Sequence, residues 1–508
     1  MKSFQDNNII LEVYTHFGKN LGKDRKDLEQ FQTAVKQALK RHNITVYRLS
    51  EITGIERTHL LKIINGQRTV TPQKLDAILK AIDPTEDENE EIRLAYIDMN
   101  FGLEKFNNYT ELFISNKKSG EKSGSDSDGV EISVEFTEPV TRFASRNELI
   151  KSLYTVTAYE TANAENKRIY TNIDESITRD IFDSLPKNRG DYDIKQIISA
   201  RSGSDYSKTV KTSVEFMLKG YKIYYSRANS DIEKRRDIIF PYYYVTDELC
   251  LFASGDLSCG FVAKNRRFAD IYAGQILSAI EGMTSIVSIS QNIMDVKNNL
   301  MKVIPYTEKT SYTIESDLCI TFFMTIDMWD QIAKPDVPNR NFLRDTTYEY
   351  YQAIKKAQKS TLVIHSYEGT QKFTNDGIVF QMPAEYADPL TVENRAKIYK
   401  SMIEYYSDDS HDFRLSKEGV FSNKIAVDIT DKYSDRKHVI SYLYSYLTNF
   451  TGNANISIDD TDINNELIDF MNYLIASPYF YSKEESLNLL KEEMTKLEYK
   501  IRESTENK

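Results

Sequence analysis

The side chains between Glu56 and Lys62 carry the most readable chemistry in this chain of 508 residues. A helix from Arg57 to Ile64 would turn Leu60 and Ile63 inward. Glu56, Arg57, Thr58, His59, Leu61 and Lys62 would then face outward. Hydrogen-bonding groups projected from one short helix match the donor and acceptor pattern of base-pair edges in a major groove, which is wide enough for a single helix.

The neighbouring residues describe the frame such a helix needs. Leu28, Phe31, Val35 and Leu39 recur with helical period, and Arg41-His42-Asn43 ends that helix. Thr45 supplies a capping hydroxyl for a short helix with Leu49 and Ser50, and Thr53-Gly54-Ile55 forms a turn. Ser50 is small where two helices cross, and Gly54 lets the backbone turn without a Cβ clash. Asn65-Gly66 suits left-handed termination. Thr71-Pro72 opens a further helix with Leu75, Ile78, Leu79 and Ile82 on one face. Two short helices joined by a glycine turn predict a helix-turn-helix.

The segment ITVYRLSEITGIERTHLLKIINGQRTVTPQKLDAILKAI resembles the XRE, lambda-repressor-like, helix-turn-helix family over about 55 residues. The resemblance implies a five-helix fold, dimeric operator binding and recognition through Arg57, Thr58, Leu61 and Lys62. It places phosphate contacts at Thr45 to Tyr47 and at Asn65, Gln67 and Arg68. His59 is a further candidate, although partial burial explains a histidine there equally well. The chain departs from the family in three places. Val46 stands where Gln is common, Thr53 replaces the commoner Leu, and Glu56 puts a carboxylate near DNA. For Glu56, favouring the helix N-terminus is the stronger reading and accepting a bond from a cytosine amino group the weaker.

Charge is unevenly spread. The first 83 residues hold 14 Lys+Arg against 9 Asp+Glu, and the remainder 51 against 67, within a total of −11. A basic head followed by an acidic body argues against a protein that coats nucleic acid or anionic membrane over its whole surface. The chain is long enough for several domains. Thr85 and the run Glu86, Asp87, Glu88, Glu90 and Glu91 open an acidic helix, and 117–129 has the Ser/Gly-rich composition of a tether. The expected division is 1–83, a helix-turn-helix domain; 84–129, the acidic helix and linker; 130–300, a first α/β lobe; and 301–508, a second lobe with a C-terminal helix. The fold class is therefore multidomain, an all-α helix-turn-helix head plus a two-lobed α/β, mixed-sheet body.

In the body, β-rich runs alternate with helical stretches. Strands are predicted at Arg168–Ile173, Ile194–Ala200, Tyr221–Ser226, Ile238–Thr246, Leu249–Ser254 and Cys259–Ala263, with a tight turn at Asp247-Glu248. A further set is predicted at Thr361–Ser366, Gly377–Phe380, Phe413–Leu415, Ile425–Ile429, Val439–Tyr446 and Asn455–Ile458. No repeat strong enough to prove duplication is visible. The final helix spaces Leu487, Leu490, Met494, Leu497 and Ile501 by threes and fours. That pattern suits packing on its own lobe better than a dimer seam little more than two heptads long.

Linear catalytic signatures are missing from the body. There is no Gly-x-x-x-x-Gly-Lys, GxGxxG, HExxH or GxSxG, and His365, His411 and His438 lie far apart in sequence. Cys250, Cys259 and Cys319 have no zinc-ligand spacing. The body distantly resembles a phospholipase D-like fold around FPYYYVTDELCLFASGDL but lacks that family's histidine two residues before a lysine. The tyrosine clusters, such as Tyr242-Tyr243-Tyr244, read first as packing and second as a ligand pocket. No catalytic residue, cofactor or metal is therefore expected, and the protein is expected not to be an enzyme. An N-terminus without a signal and no apolar run long enough for a bilayer predict a cytoplasmic protein with no membrane partner. The reading is a sequence-specific transcriptional regulator bound to double-stranded DNA as a homodimer, its body sensing an unidentified small-molecule or protein signal or mediating oligomerisation. The alternatives are a DNA-targeted enzyme such as a phage-defence effector, and a ligand-free protein-interaction platform.

Overall fold

The computed structural model describes residues 27–113 and 139–506, apart from 69, 164–166, 186–191, 201–205, 219, 228–238, 282, 284–286, 291–309, 338, 358–359, 380–385, 422–424, 431–439, 446–453 and 459–460. The tether expected at 117–129 and His438 lie outside these. The described residues up to Phe106 group with Phe470–Ser482 in one compact unit, and Asn107–Asp469 groups with the chain from Lys483 onward in another.

The first unit is helical: α1 (Asp27–Arg41), α2 (Val46–Thr53), α3 (Arg57–Ile64), α4 (Pro72–Ile82) and α5 (Glu86–Asn100), with α6 (Leu103–Phe113) following. Of the residues expected to face inward, Phe31, Val35, Leu39, Leu49, Leu60, Ile63, Leu75, Ile78, Leu79 and Ile82 are all buried, and the Leu28 side chain lies outside those described. The starts of α2, α4 and α5 have their expected chemistry. Thr45 Oγ1 accepts the Arg48 N–H, Thr71 Oγ1 accepts the Lys74 N–H, and Thr85 and Glu88 form a reciprocal capping box. Glu88 also accepts from Arg41 Nη1 and bonds His42 Nε2, each at 2.8 Å, so that the acidic helix α5 is fastened to the end of α1.

Residues 470–482 complete this core. The Phe470 ring lies 5.6 Å from that of Phe106 and the Tyr473 ring 5.3 Å from that of Phe101 and 5.9 Å from that of Tyr96. Arg93 donates to Asn89, to Asp76 on α4 at 2.8 Å and to the Ala476 carbonyl at 2.9 Å. Compactness thus joins segments that a division in chain order separates.

The second unit opens with β1 (Val140–Phe143), α7 (Arg146–Asn163), β2 (Arg168–Thr171), α8 (Glu175–Asp183), β3 (Asp193–Ala200), α9 (Tyr206–Leu218), β4 (Lys222–Arg227), β5 (Tyr242–Val245), β6 (Leu249–Ala253), β7 (Gly260–Lys264) and α10 (Arg266–Glu281). It continues with β8 (Val287–Ser290), β9 (Thr310–Glu315), α11 (Ile326–Ile332), α12 (Arg340–Ala357), β10 (Ser360–Ser366), α13 (Tyr367–Asp376), α14 (Val392–Tyr406), β11 (His411–Ser416), β12 (Ile425–Thr430), β13 (Ile440–Ser445) and β14 (Ala454–Ile458). Helices α15 (Thr461–Leu474) and α16 (Lys483–Glu506) follow.

Two seven-stranded mixed sheets result, ordered β1-β7-β6-β5-β2-β3-β4 and β11-β10-β9-β12-β13-β14-β8. In the first, β2, β3 and β4 are parallel and the other pairs antiparallel; in the second the same holds of β9, β10 and β11. The chain traces one path twice. An edge strand comes first, three parallel strands step outward, and three antiparallel strands return to pair with the edge strand. The parallel steps need crossovers, which α8, α9 and α11 to α14 provide.

One predicted strand is corrected. Gly377 at φ +67° is the left-handed cap of α13, its N–H bonded to the Phe373 carbonyl, and no strand covers 377–379. A short run of apolar residues after a glycine resembles a strand, but it follows a helix end here. In α16, Ser486, Leu490, Glu493 and Leu497 are the buried stripe, and the helix packs on α14 and β11 of its own lobe.

Candidate nucleic-acid interface

The turn between α2 and α3 is held by its own side chains. Gly54 takes φ +69° and donates to the Ser50 carbonyl at 2.9 Å; space for a Cβ is open, so only the backbone angle requires glycine. Ser50 Oγ donates to the Ile55 carbonyl at 2.7 Å. Its role is therefore a bond across the turn as well as small size. Thr53 Oγ1 donates to the Leu49 carbonyl at 2.7 Å and accepts the Ile55 N–H at 3.3 Å. These bonds offset the packing that a leucine at this position would add.

With Leu60, Ile63 and Ile64 buried, α3 leaves its other face to solvent. Arg57, Thr58 and Lys62 are exposed, Leu61 is 38% exposed and His59 is half-buried, which favours its packing role. Arg57, Lys62 and Arg68 form no side-chain ion pair among the described residues, leaving three cations on or just beyond α3 for an anionic partner. Tyr47 is 59% exposed at the start of α2, whereas the Thr45 hydroxyl is already engaged in its cap. Arg48, which the sequence reading passed over, is also exposed on α2 and lies 3.5 Å from Glu51.

Glu56 stands at the helix N-terminus, as the favoured expectation has it, but without the hydrogen bond of a cap: it occupies the N-cap position of α3, and its side chain makes no bond to the backbone. Its Oε1 instead accepts from Thr58 Oγ1. A hydroxyl two residues on satisfies the carboxylate without the tight folding-back that the longer glutamate chain would need to cap.

The exit from α3 is a left-handed closure. Gly66 at φ +70° donates to the Ile63 carbonyl at 3.0 Å and Gln67 N–H donates to the Lys62 carbonyl at 2.7 Å. A Cβ on Gly66 would stand 2.6 Å from Gln32 Nε2, so a side chain there must displace that flexible amide end as well as take up a left-handed angle. Asn65, Gln67 and Arg68 are exposed beside it.

In the body, the sites weighed from sequence do not converge. His365 is 1% exposed and held neutral by burial, which pulls it down to about 4, with Nδ1 3.8 Å from Glu315. His411 pairs in register with Thr361, four positions from His365 along neighbouring strands, and stacks on Tyr405. Tyr244 is fully buried with its hydroxyl 2.8 Å from Thr157 Oγ1, a packing role. Among the described residues no group of three or more His, Cys, Asp or Glu is placed to hold a metal ion, and no helix is long and apolar enough to cross a membrane.

Comparison with known proteins divides the same way. No curated protein matches the chain. Among solved structures, similarity extends to TrmBL2, an archaeal chromatin protein described as having a novel mode of DNA binding, at 14% identity over 30% of this chain and 56% of that one, TM-score 0.22. It extends to phosphatidylserine synthase of Haemophilus influenzae, at 11% identity over 73% and 94%, TM-score 0.23. It extends also to polyphosphate kinase of Porphyromonas gingivalis, at 10% identity over 66% and 50%, TM-score 0.20. The match to TrmBL2 spans little more than half of that protein. At these scores the likenesses carry no argument for a shared fold or activity. Two of these structures are enzymes, and the expectation that the protein is not an enzyme is withdrawn. Missing linear motifs are no ground for that exclusion, since a fold can assemble catalytic groups from distant positions. The head is a different matter: residues 34–88, which contain the turn, α3 and its exit loop, match the Cro/C1-type HTH DNA-binding domain and form a helix-turn-helix head of that kind.

Proposed function

We propose that this protein is a sequence-specific regulator of transcription that binds double-stranded DNA as a homodimer, in the cytoplasm with the DNA it regulates. The observation that carries the reading is the polar face of α3, with Arg57 and Lys62 on it and Arg68 just beyond, all three exposed and without a side-chain ion pair among the described residues, within a DNA-binding domain. In this reading Arg57, Thr58, Leu61 and Lys62 face base edges, and Tyr47, Asn65, Gln67 and Arg68 face phosphates. One short helix reads few base pairs, so useful affinity needs two heads, with half-sites about 10 bp apart. The body supplies that pairing and biases it in response to a small-molecule or protein signal, by favouring one spacing of the heads over another. Footprinting of the full-length protein on its own promoter region tests the reading. The expected result is a protected pair of half-sites one helical turn apart. Protection that is uniform along the fragment would refute it.

A further inference from the structure

We propose that the outer face of α10, centred on Gly274, is the surface on which a second copy of this chain docks, the two helices crossing antiparallel about a two-fold axis. The inference deepens the regulator reading, on which it rests for the need of a pair, by naming the face of the body that supplies it.

Helix α10 is held to its sheet by Ala269, Ala273, Ile276 and Ile280, which pack in one core with Val245, Cys250 and Phe252. Its opposite face is exposed from end to end. Gly274 stands at the middle of that face. A Cβ there would meet nothing within 4 Å, so the chain's own packing does not require glycine. Glycine inside a helix costs stability relative to alanine, and what it permits in return is the close approach of another backbone.

The residues on either side of Gly274 are ordered as a self-complementary contact requires, in which residue i of one copy meets residue j of the other and j meets i. An antiparallel crossing at Gly274 brings together positions equally far before and after it. Positions three, four and seven away share its face. Three away stand Ile271 and Leu277, 54% and 38% exposed. Seven away stand Arg267 and Glu281, both exposed, of opposite charge and without a side-chain ion pair among the described residues. Four away stand Asp270, already paired with Arg168, and Ser278, a hydroxyl donor for that carboxylate. Apolar residues thus meet near the centre and a cation meets an anion at each rim. A parallel alignment would set Arg267 against Arg267 and Glu281 against Glu281, which repel. One helix from each copy is a small contact, so the association is reversible and depends on concentration.

The test is sedimentation equilibrium of the full-length protein over a range of concentrations at low ionic strength, where exposed charges are least screened. The variants are Arg267→Glu, Glu281→Arg and Gly274→Leu, each also followed by thermal melting. The wild type is expected to dimerise. Either charge reversal sets two like-charged pairs across the axis and should weaken self-association by about tenfold or more. An equimolar mixture of the two reversals restores opposite charges at both rims, so the mixture should dimerise where neither variant does alone. That rescue also shows that both variants are folded. Gly274→Leu should block the close approach and leave a monomer whose melting shows it folded. A wild type that stays monomeric, its face left to some other partner, overturns the α10 assignment, and so does a dimer that all three variants leave intact. In both cases the footprint, through its paired half-sites, decides the regulator reading separately. Rescue in the mixture with no paired half-sites in the footprint keeps α10 and overturns the regulator reading.

Discussion

Two glycines in the head have the same backbone angle and different surroundings, and their substitutions should separate the two effects. Gly54→Ala meets open space and carries only the cost of a left-handed non-glycine residue, about 1–2 kcal/mol. Gly66→Ala carries the same cost and must also displace the Gln32 amide, whose Nε2 lies 3.6 Å from Met99 Sδ. Urea unfolding is expected to show the larger loss for Gly66→Ala. At Arg57, exposed and without a side-chain ion pair among the described residues, Arg57→Ala should weaken operator binding by about 1–3 kcal/mol if the guanidinium reads a base edge. Gel-shift titration checks this, and unchanged affinity would remove Arg57 from the interface. The residue types of this surface were legible, because outward positions follow from the spacing of Leu60 and Ile63. The Glu56 partner was not, since which hydroxyl or N–H a flexible carboxylate chooses depends on three-dimensional distances.

At the scale of elements, the junction of α1 and α5 predicts a dependence on pH. Bonds from Arg41, then His42, then the Thr85 N–H hold the Glu88 carboxyl at about 2, below the 4.5 of an unperturbed glutamate. A depressed carboxylate contributes stability that is fully present above about 4.5 and is lost as pH falls through its folded value. Thermal melting from pH 6 to about pH 2 should therefore fall more steeply for the wild type than for Glu88→Gln, the two curves converging at the acid end. The capping box was readable as Thr85 with Glu88 three residues on; the ion pair that joins two helices was not. Among the strands, β1 was missed because Val140, Thr141 and Arg142 are exposed and only Phe143 is buried, so it has no alternation to read. By contrast, β6, within the strand predicted at Leu249–Ser254, is buried throughout, as its unbroken apolar residues require.

The molecule as a whole joins distant stretches of chain. Phe470, almost wholly buried among Phe101 and Phe106, belongs to the head's core although most of the body lies between them in sequence. Phe470→Ala should destabilise the head by about 3–5 kcal/mol. Calorimetry with DNA binding measured in parallel is expected to show binding lost at a lower temperature than in the wild type. An unshifted loss would mean that 470–482 contributes nothing to the head. The sequence by itself determined the helix-turn-helix, its caps, its turn and its outward face, because these depend on residues within one or two helical turns of each other. Only the tertiary structure decided that 470–482 closes the head and that the body repeats one strand path. Aromatic packing between remote segments and the order of strands in a sheet are set by which surfaces fit together in space, and neighbouring residues in the chain carry no record of that.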